Sequence, residues 1–125
     1  MQVVVCKEAP KAIGPYSQAI ICGPTMFVSG QIALDPVTGQ MVNDTLENEI
    51  NRVLDNCEAI LLEARYGFQD VVKATIFCTD MADFDLINKL YAERFKFSIP
   101  PARSCVQVAG LPKGARVEIE VIARK

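Results

Sequence analysis

Apolar and polar residues alternate over 103–108 and again over 116–121, as they do in strands with one dry face. Ser104, Val106 and Val108 fall on one side of the first segment, and Val117, Ile119 and Val121 on one side of the second. With both apolar sides turned to one core, Arg103, Cys105 and Gln107 share the opposite face with Arg116, Glu118 and Glu120. A guanidinium and carboxylates on rigid strands of one sheet can hold a small charged ligand. The competing reading is a solvated face, whose exposed cross-strand pairs contribute less than about 1 kcal/mol each.

Upstream, Ala19-Ile20-Ile21-Cys22 and Met26-Phe27-Val28-Ser29 read as two short strands around the hairpin signal Gly23-Pro24-Thr25. The second strand continues through Gly30-Gln31-Ile32, and Asp35-Pro36-Val37-Thr38-Gly39 is a tight turn. Ile50, Val53, Leu54, Cys57, Ile60, Leu61 and Ala64 recur at three- and four-residue steps, one stripe of a helix. Asp44 or Thr45 can cap it, Glu47 suits a capping box led by Asp44, and Gly67 suits the left-handed position after its end. Residues 71–78 are rich in β-branched side chains and predict a strand. A second helix is predicted over 83–95, with Phe84, Ile87, Tyr91 and Phe95 toward the core; Pro100-Pro101 cannot continue it.

The order is β-β-α-β-α-β-β, with a further strand open as an option at Val3 to Val5. Two helices on one face of a mixed, mostly antiparallel sheet make a single α+β domain over 1–125. The other face would carry Lys73, Thr75, Phe77, Arg103, Cys105, Gln107 and Glu118. It is too mixed for a core and too rich in Phe, Cys and Thr for a wet surface, which suits contact between subunits.

Composition narrows the chemistry. The five cysteines are irregularly spaced with no C-x-x-C pair, which fits a reducing cytoplasm better than a disulfide framework or zinc ribbon. Cys57 and Cys78 fall at core positions. The chain has no histidine, which removes Ser-His-Asp and Cys-His nucleophile schemes and the common histidine metal sites. No signal peptide or membrane span is expected, and a net charge of −2 with scattered basic residues leaves no footprint for nucleic acid.

Gly14-Pro15-Tyr16-Ser17-Gln18-Ala19, Val28-Ser29-Gly30-Gln31, Asp35-Pro36-Val37-Thr38-Gly39 and Pro101-Ala102-Arg103-Ser104-Cys105-Val106 resemble the signature blocks of the RidA (YjgF) family. Leu111-Pro112-Lys113-Gly114 and Val117-Glu118-Ile119-Glu120 continue the likeness, in family order across the chain. The resemblance implies a chorismate-mutase-like fold and a homotrimer with sites in the clefts between subunits. It implies hydrolysis of 2-imino or enamine acids, such as 2-aminoacrylate and 2-iminobutanoate, to 2-oxo acids and ammonia, without cofactor or metal. Such substrates are released by pyridoxal-phosphate dehydratases, which makes these enzymes functional partners.

On that resemblance Arg103 grips the substrate carboxylate, the backbone of Cys105 positions the substrate, and Glu118 orients the water. Tyr16 covers the substrate from a neighbouring subunit, and Ser29, Gly30 and Asn88 line the pocket. Each has a plainer reading: an ion pair for Arg103, an interface aromatic for Tyr16, a helix-bridging residue for Asn88. Glu120 lies on the same face as Glu118 and competes for its role. Ala33 stands where many relatives have proline, and Gln107 and Gly110 where some have charges, which leaves substrate choice open. The rival functions are a non-catalytic binder of 2-oxo acids on the same scaffold and an endoribonuclease or translation inhibitor.

Overall fold

The computed structural model describes residues 1–125 as a mixed six-stranded sheet carrying two helices. Strands β1 (Gln2–Val4), β2 (Ala19–Cys22), β3 (Thr25–Gln31), β4 (Val71–Cys78), β5 (Ala102–Gln107) and β6 (Val117–Arg124) lie in the order β1-β2-β3-β6-β4-β5. Every pairing is antiparallel except β4 with β5, where helix α2 (Phe84–Arg94) returns the chain to the sheet in the same direction. The optional N-terminal strand forms and pairs with β2.

Helix α1 (Leu46–Glu63) begins at Thr45, whose Oγ1 accepts the Asn48 N–H at 3.1 Å. Asp44 is therefore not the cap; its carboxylate accepts from the Asn48 side chain instead. The helix also ends differently from expectation. Tyr66 N–H donates to Leu61 O and Arg65 N–H to Leu62 O, so Arg65, at φ 63°, takes the left-handed position. Gly67 is extended and starts a short 3₁₀ turn.

The stripe of α1 is buried as its spacing predicts, with Ile50, Val53, Leu54, Cys57, Ile60 and Leu61 in the core against β3, β6 and α2. Cys57 and Cys78 are core residues. Two polar members of α1 are buried without any apolar signal to foretell it. Asn56 Nδ2 donates to the carbonyls of Ile32 and Leu34. Glu49 accepts from the Arg116 N–H at 2.7 Å and the Val117 N–H at 3.3 Å, fixing the point where β6 begins. Glu49→Ala should cost about 3 kcal/mol, because two backbone donors lose a charged acceptor away from water. A urea midpoint at fixed protein concentration, lowered with unchanged slope, is the check.

The faces of β5 are reversed relative to the sequence reading. Arg103 is registered with Ala74 and Cys105 with Ile76, both inward residues of β4, so Arg103, Cys105 and Gln107 lie on the helix side. Ser104 and Val106 join Lys73, Thr75, Phe77, Glu118, Glu120 and Ile122 on the open side. Arg116 also leaves the open face, pairing with Asp83 at 2.8 Å. The cause lies in the neighbours. Arg103 lays its guanidinium over the rings of Phe84 and Tyr91 and needs no wet face. The open side keeps apolar residues of its own, with Phe27 and Val106 nearly half exposed, so a valine there is no guide to the core.

Candidate active site

Two clusters hold the residues singled out from the sequence. The first forms around an irregularity in β3. Val28 pairs with Val121 but Gln31 with Ile119, so Ser29 and Gly30 bulge against β6. Ser29 Oγ donates to Ser17 O and its N–H to Gln18 O. The buried Gln18 side chain in turn accepts from Cys6 N–H and donates to the carbonyls of Cys6 and Pro10. These bonds pin the irregular segment before β2 against the sheet and hold Tyr16 beside the bulge. A cavity of about 590 Å³ results, lined by Tyr16, Ser29, Gly30, Lys113, Glu118 and Glu120 among others.

Within this cavity Gly30 and Glu118 are in intimate contact. A Cβ at position 30 would lie 2.8 Å from Cδ of Glu118 and 3.1 Å from its Oε1, so only glycine lets the carboxyl rest there. Burial pushes the Glu118 carboxyl above the usual range, and the charge of Glu120 adds to the effect. Glu120 itself is exposed. The environment thus separates two carboxylates that alternation along β6 could not.

The second cluster is on the helix side at the sheet's edge. The Arg103 guanidinium carbon lies 4.9 Å from the Tyr91 ring centre and 5.7 Å from that of Phe84. Arg94 and Arg116 are committed to carboxylates, whereas Arg103 has no ion pair within the chain. Asn88, exposed on α2, is four residues after Phe84 and three before Tyr91, on the same side of the helix. Cys105 is half-buried against the core.

One chain does not bring the clusters together. Arg103 and Glu118 are on opposite faces and on strands separated by β4, which alone places them about 10 Å apart across the sheet. Tyr16, Ser29, Gly30 and Glu118 share one cavity; Arg103, Cys105 and Asn88 are not among its walls. Sequence reasoning missed Lys113 as a wall of the cavity and Tyr91 as the partner of Arg103. Lys113, at φ 57° before a left-handed Gly114, sits in a turn whose Pro-Lys-Gly composition was a visible signal. No group of three or more Cys, Asp or Glu side chains is placed to hold a metal ion.

Residues 6–125 match the family model described as Endoribonuclease L-PSP. The chain is 44% identical over 122 residues to the human 2-iminobutanoate/2-iminopropanoate deaminase, covering 98% of this chain and 88% of that protein. It is 46% identical over 127 residues to a RutC family protein of Leuconostoc mesenteroides subsp. cremoris, covering 99% and 98% of the two chains. Among solved structures, TdcF of E. coli with bound serine superposes with a TM-score of 0.95 at 40% identity, covering 100% of this chain and 99% of that one.

Proposed function

The chain belongs to the Endoribonuclease L-PSP family, the RidA (YjgF) family of its motif blocks, and on that footing we propose that it is a 2-imino acid deaminase working as a homotrimer. Its substrates in this reading are 2-iminobutanoate, 2-iminopropanoate and the enamine 2-aminoacrylate, formed in the cytoplasm by pyridoxal-phosphate dehydratases. One observation carries the proposal. The chain holds an unpaired arginine suited to a carboxylate and a proton-hungry glutamate suited to a water on opposite faces of one sheet, a separation that a second copy would bridge. The open sheet face, with Val3, Phe27 and Val106 uncovered, offers the apolar area for that contact.

Arg103 of one subunit binds the carboxylate through paired N–H donors, a fork that lysine lacks. The backbone N–H and C=O of Cys105 fix the imino group, and Asn88 borders the same edge. The neighbouring subunit brings Tyr16 over the substrate, with Ser29 and Gly30 shaping the wall and Glu118 beneath. Glu118 accepts a proton from water as the oxygen adds to the imine carbon. Glu118 returns that proton to the nitrogen, the hydroxyl of the resulting carbinolamine passes its own proton through Glu118 to the nitrogen, and the C–N bond breaks as the C=O bond forms, releasing 2-oxo acid and ammonia. An imine is electrophilic enough for orientation and one base to suffice, so the reaction calls on no cofactor.

The pH dependence follows from the raised Glu118 carboxyl. The base form is required, so kcat/KM falls as pH drops through a value above the ordinary glutamate range. Stability moves the other way: the folded chain binds this proton more tightly than the unfolded one, and that advantage fades as pH rises from the usual glutamate value through the raised one. Glu118→Gln should lower kcat by about a hundredfold or more and remove this acid limb.

The test generates 2-iminobutanoate in situ with a dehydratase and follows 2-oxobutanoate release with and without the protein. Acceleration by wild type that Glu118→Gln loses supports the deaminase. Binding of 2-oxobutanoate without acceleration would instead leave a non-catalytic binder on this scaffold. For the endoribonuclease reading, the net charge of −2 gives no overall attraction to a polyanion.

A further inference from the structure

Arg103 is held by rings rather than by charges. Its guanidinium has no carboxylate partner in the chain and lies against Tyr91 at 4.9 Å and Phe84 at 5.7 Å. Tyr91 is itself stacked on Phe95 at 4.2 Å with an interplanar angle of 16°, and Phe95 meets Phe68 at 4.6 Å. A continuous row of aromatic side chains thus runs from the core to the arginine. Tyr91, Phe95 and Phe68 are all nearly inaccessible, so the row has little freedom to move.

An arginine normally takes its direction from the acid it pairs with. Here an acid partner would occupy the donors that a ligand needs. A ring stacked on the guanidinium face leaves every in-plane N–H free while removing rotational freedom about the long stem. The Tyr91 hydroxyl is buried and makes no hydrogen bond within the chain, so the contact Tyr91 makes with Arg103 is through its ring.

We propose that Tyr91 and Phe84 are positioning residues: an aromatic shelf that pre-orients the Arg103 fork for the planar carboxylate of a 2-imino or 2-oxo acid. This rests on the deaminase reading above for the role of Arg103, and it adds what makes that arginine selective. A fork backed by rings favours a two-oxygen planar anion over a spherical one such as chloride, and arginine over lysine at this position.

The experiment titrates the intact protein with 2-oxobutanoate by calorimetry and measures kcat and KM in the imine assay. Variants are Phe84→Leu, Tyr91→Leu and Tyr91→Phe, each combined with Arg103 and with Arg103→Lys. Phe84 is only half-buried, so Phe84→Leu keeps the test alive if Tyr91→Leu fails to fold. With Arg103, the two leucine variants should weaken 2-oxobutanoate binding about five- to tenfold and raise KM alike, with kcat within about twofold. Tyr91→Phe, which keeps the ring and drops the orphan hydroxyl, should bind as wild type with a Tm no lower. With Arg103→Lys the same leucine changes should alter binding by less than about twofold, because an ammonium has no plane to orient. Wild-type binding by Phe84→Leu, or an equal loss with Arg103 and with lysine, overturns the shelf while leaving the carboxylate role of Arg103 intact. Binding that survives Arg103→Ala overturns both.

Discussion

Arg103→Ala should lose 2-oxobutanoate binding and imine hydrolysis by about a hundredfold or more, because two charge-assisted hydrogen bonds to the substrate disappear together. Its fold should survive, since the guanidinium is paired with no acid whose charge would be stranded. Arg103→Ala and Glu118→Gln should also rescue one another. Dissociated, mixed in equal amounts and reassembled as trimers, about one site in four receives Arg103 from one subunit and Glu118 from the next. Activity recovered only in the mixture means that the two halves come from different chains. No recovery from trimers shown to contain both variants would place the whole site in one chain, and the roughly 10 Å and intervening strand between Arg103 and Glu118 would have to be reconciled with chemistry.

Gly30→Ala is expected to do nearly as much damage from the other side. The backbone at Gly30 is not left-handed, so alanine brings no conformational strain, and the harm is confined to what the methyl touches. That is the Glu118 carboxyl, 2.8 Å from where the new carbon would stand. Displaced, Glu118 no longer meets the attacking water, and kcat should fall by about a hundredfold with Tm nearly unchanged. If the glycine acts only through this contact, Gly30→Ala on top of Glu118→Gln adds little. Full activity in Gly30→Ala would show that the carboxyl has another productive position, and would weaken the assignment of the water to Glu118.

The periodicity of the chain carried most of the architecture. The α1 stripe, the hairpin at Gly23-Pro24 and the return at Pro100-Pro101 were legible because each depends on local spacing or a backbone restriction. Glu49 and Asn56 were not legible, since a buried carboxylate or amide looks like any surface residue until its backbone partners, 67 and 24 positions away, are known. The helix end was misassigned because glycine is only the usual left-handed residue, and the Leu61–Tyr66 bond forces Arg65 into that role. The facing of Arg103 failed for a more general reason. Alternation on β5 separates two sides but does not say which is dry, and an arginine that stacks on rings satisfies the inner side as well as a valine does. The motif blocks named residues from both halves of the site without showing that one chain keeps them apart.

β5 is an edge strand, attached through β4 alone. None of the other strands pairs with it. An edge strand held by one ladder opens more readily than strands paired on both sides. Opening of that rim would remove the arginine from its place while leaving untouched the cavity around Glu118, which no β5 residue walls.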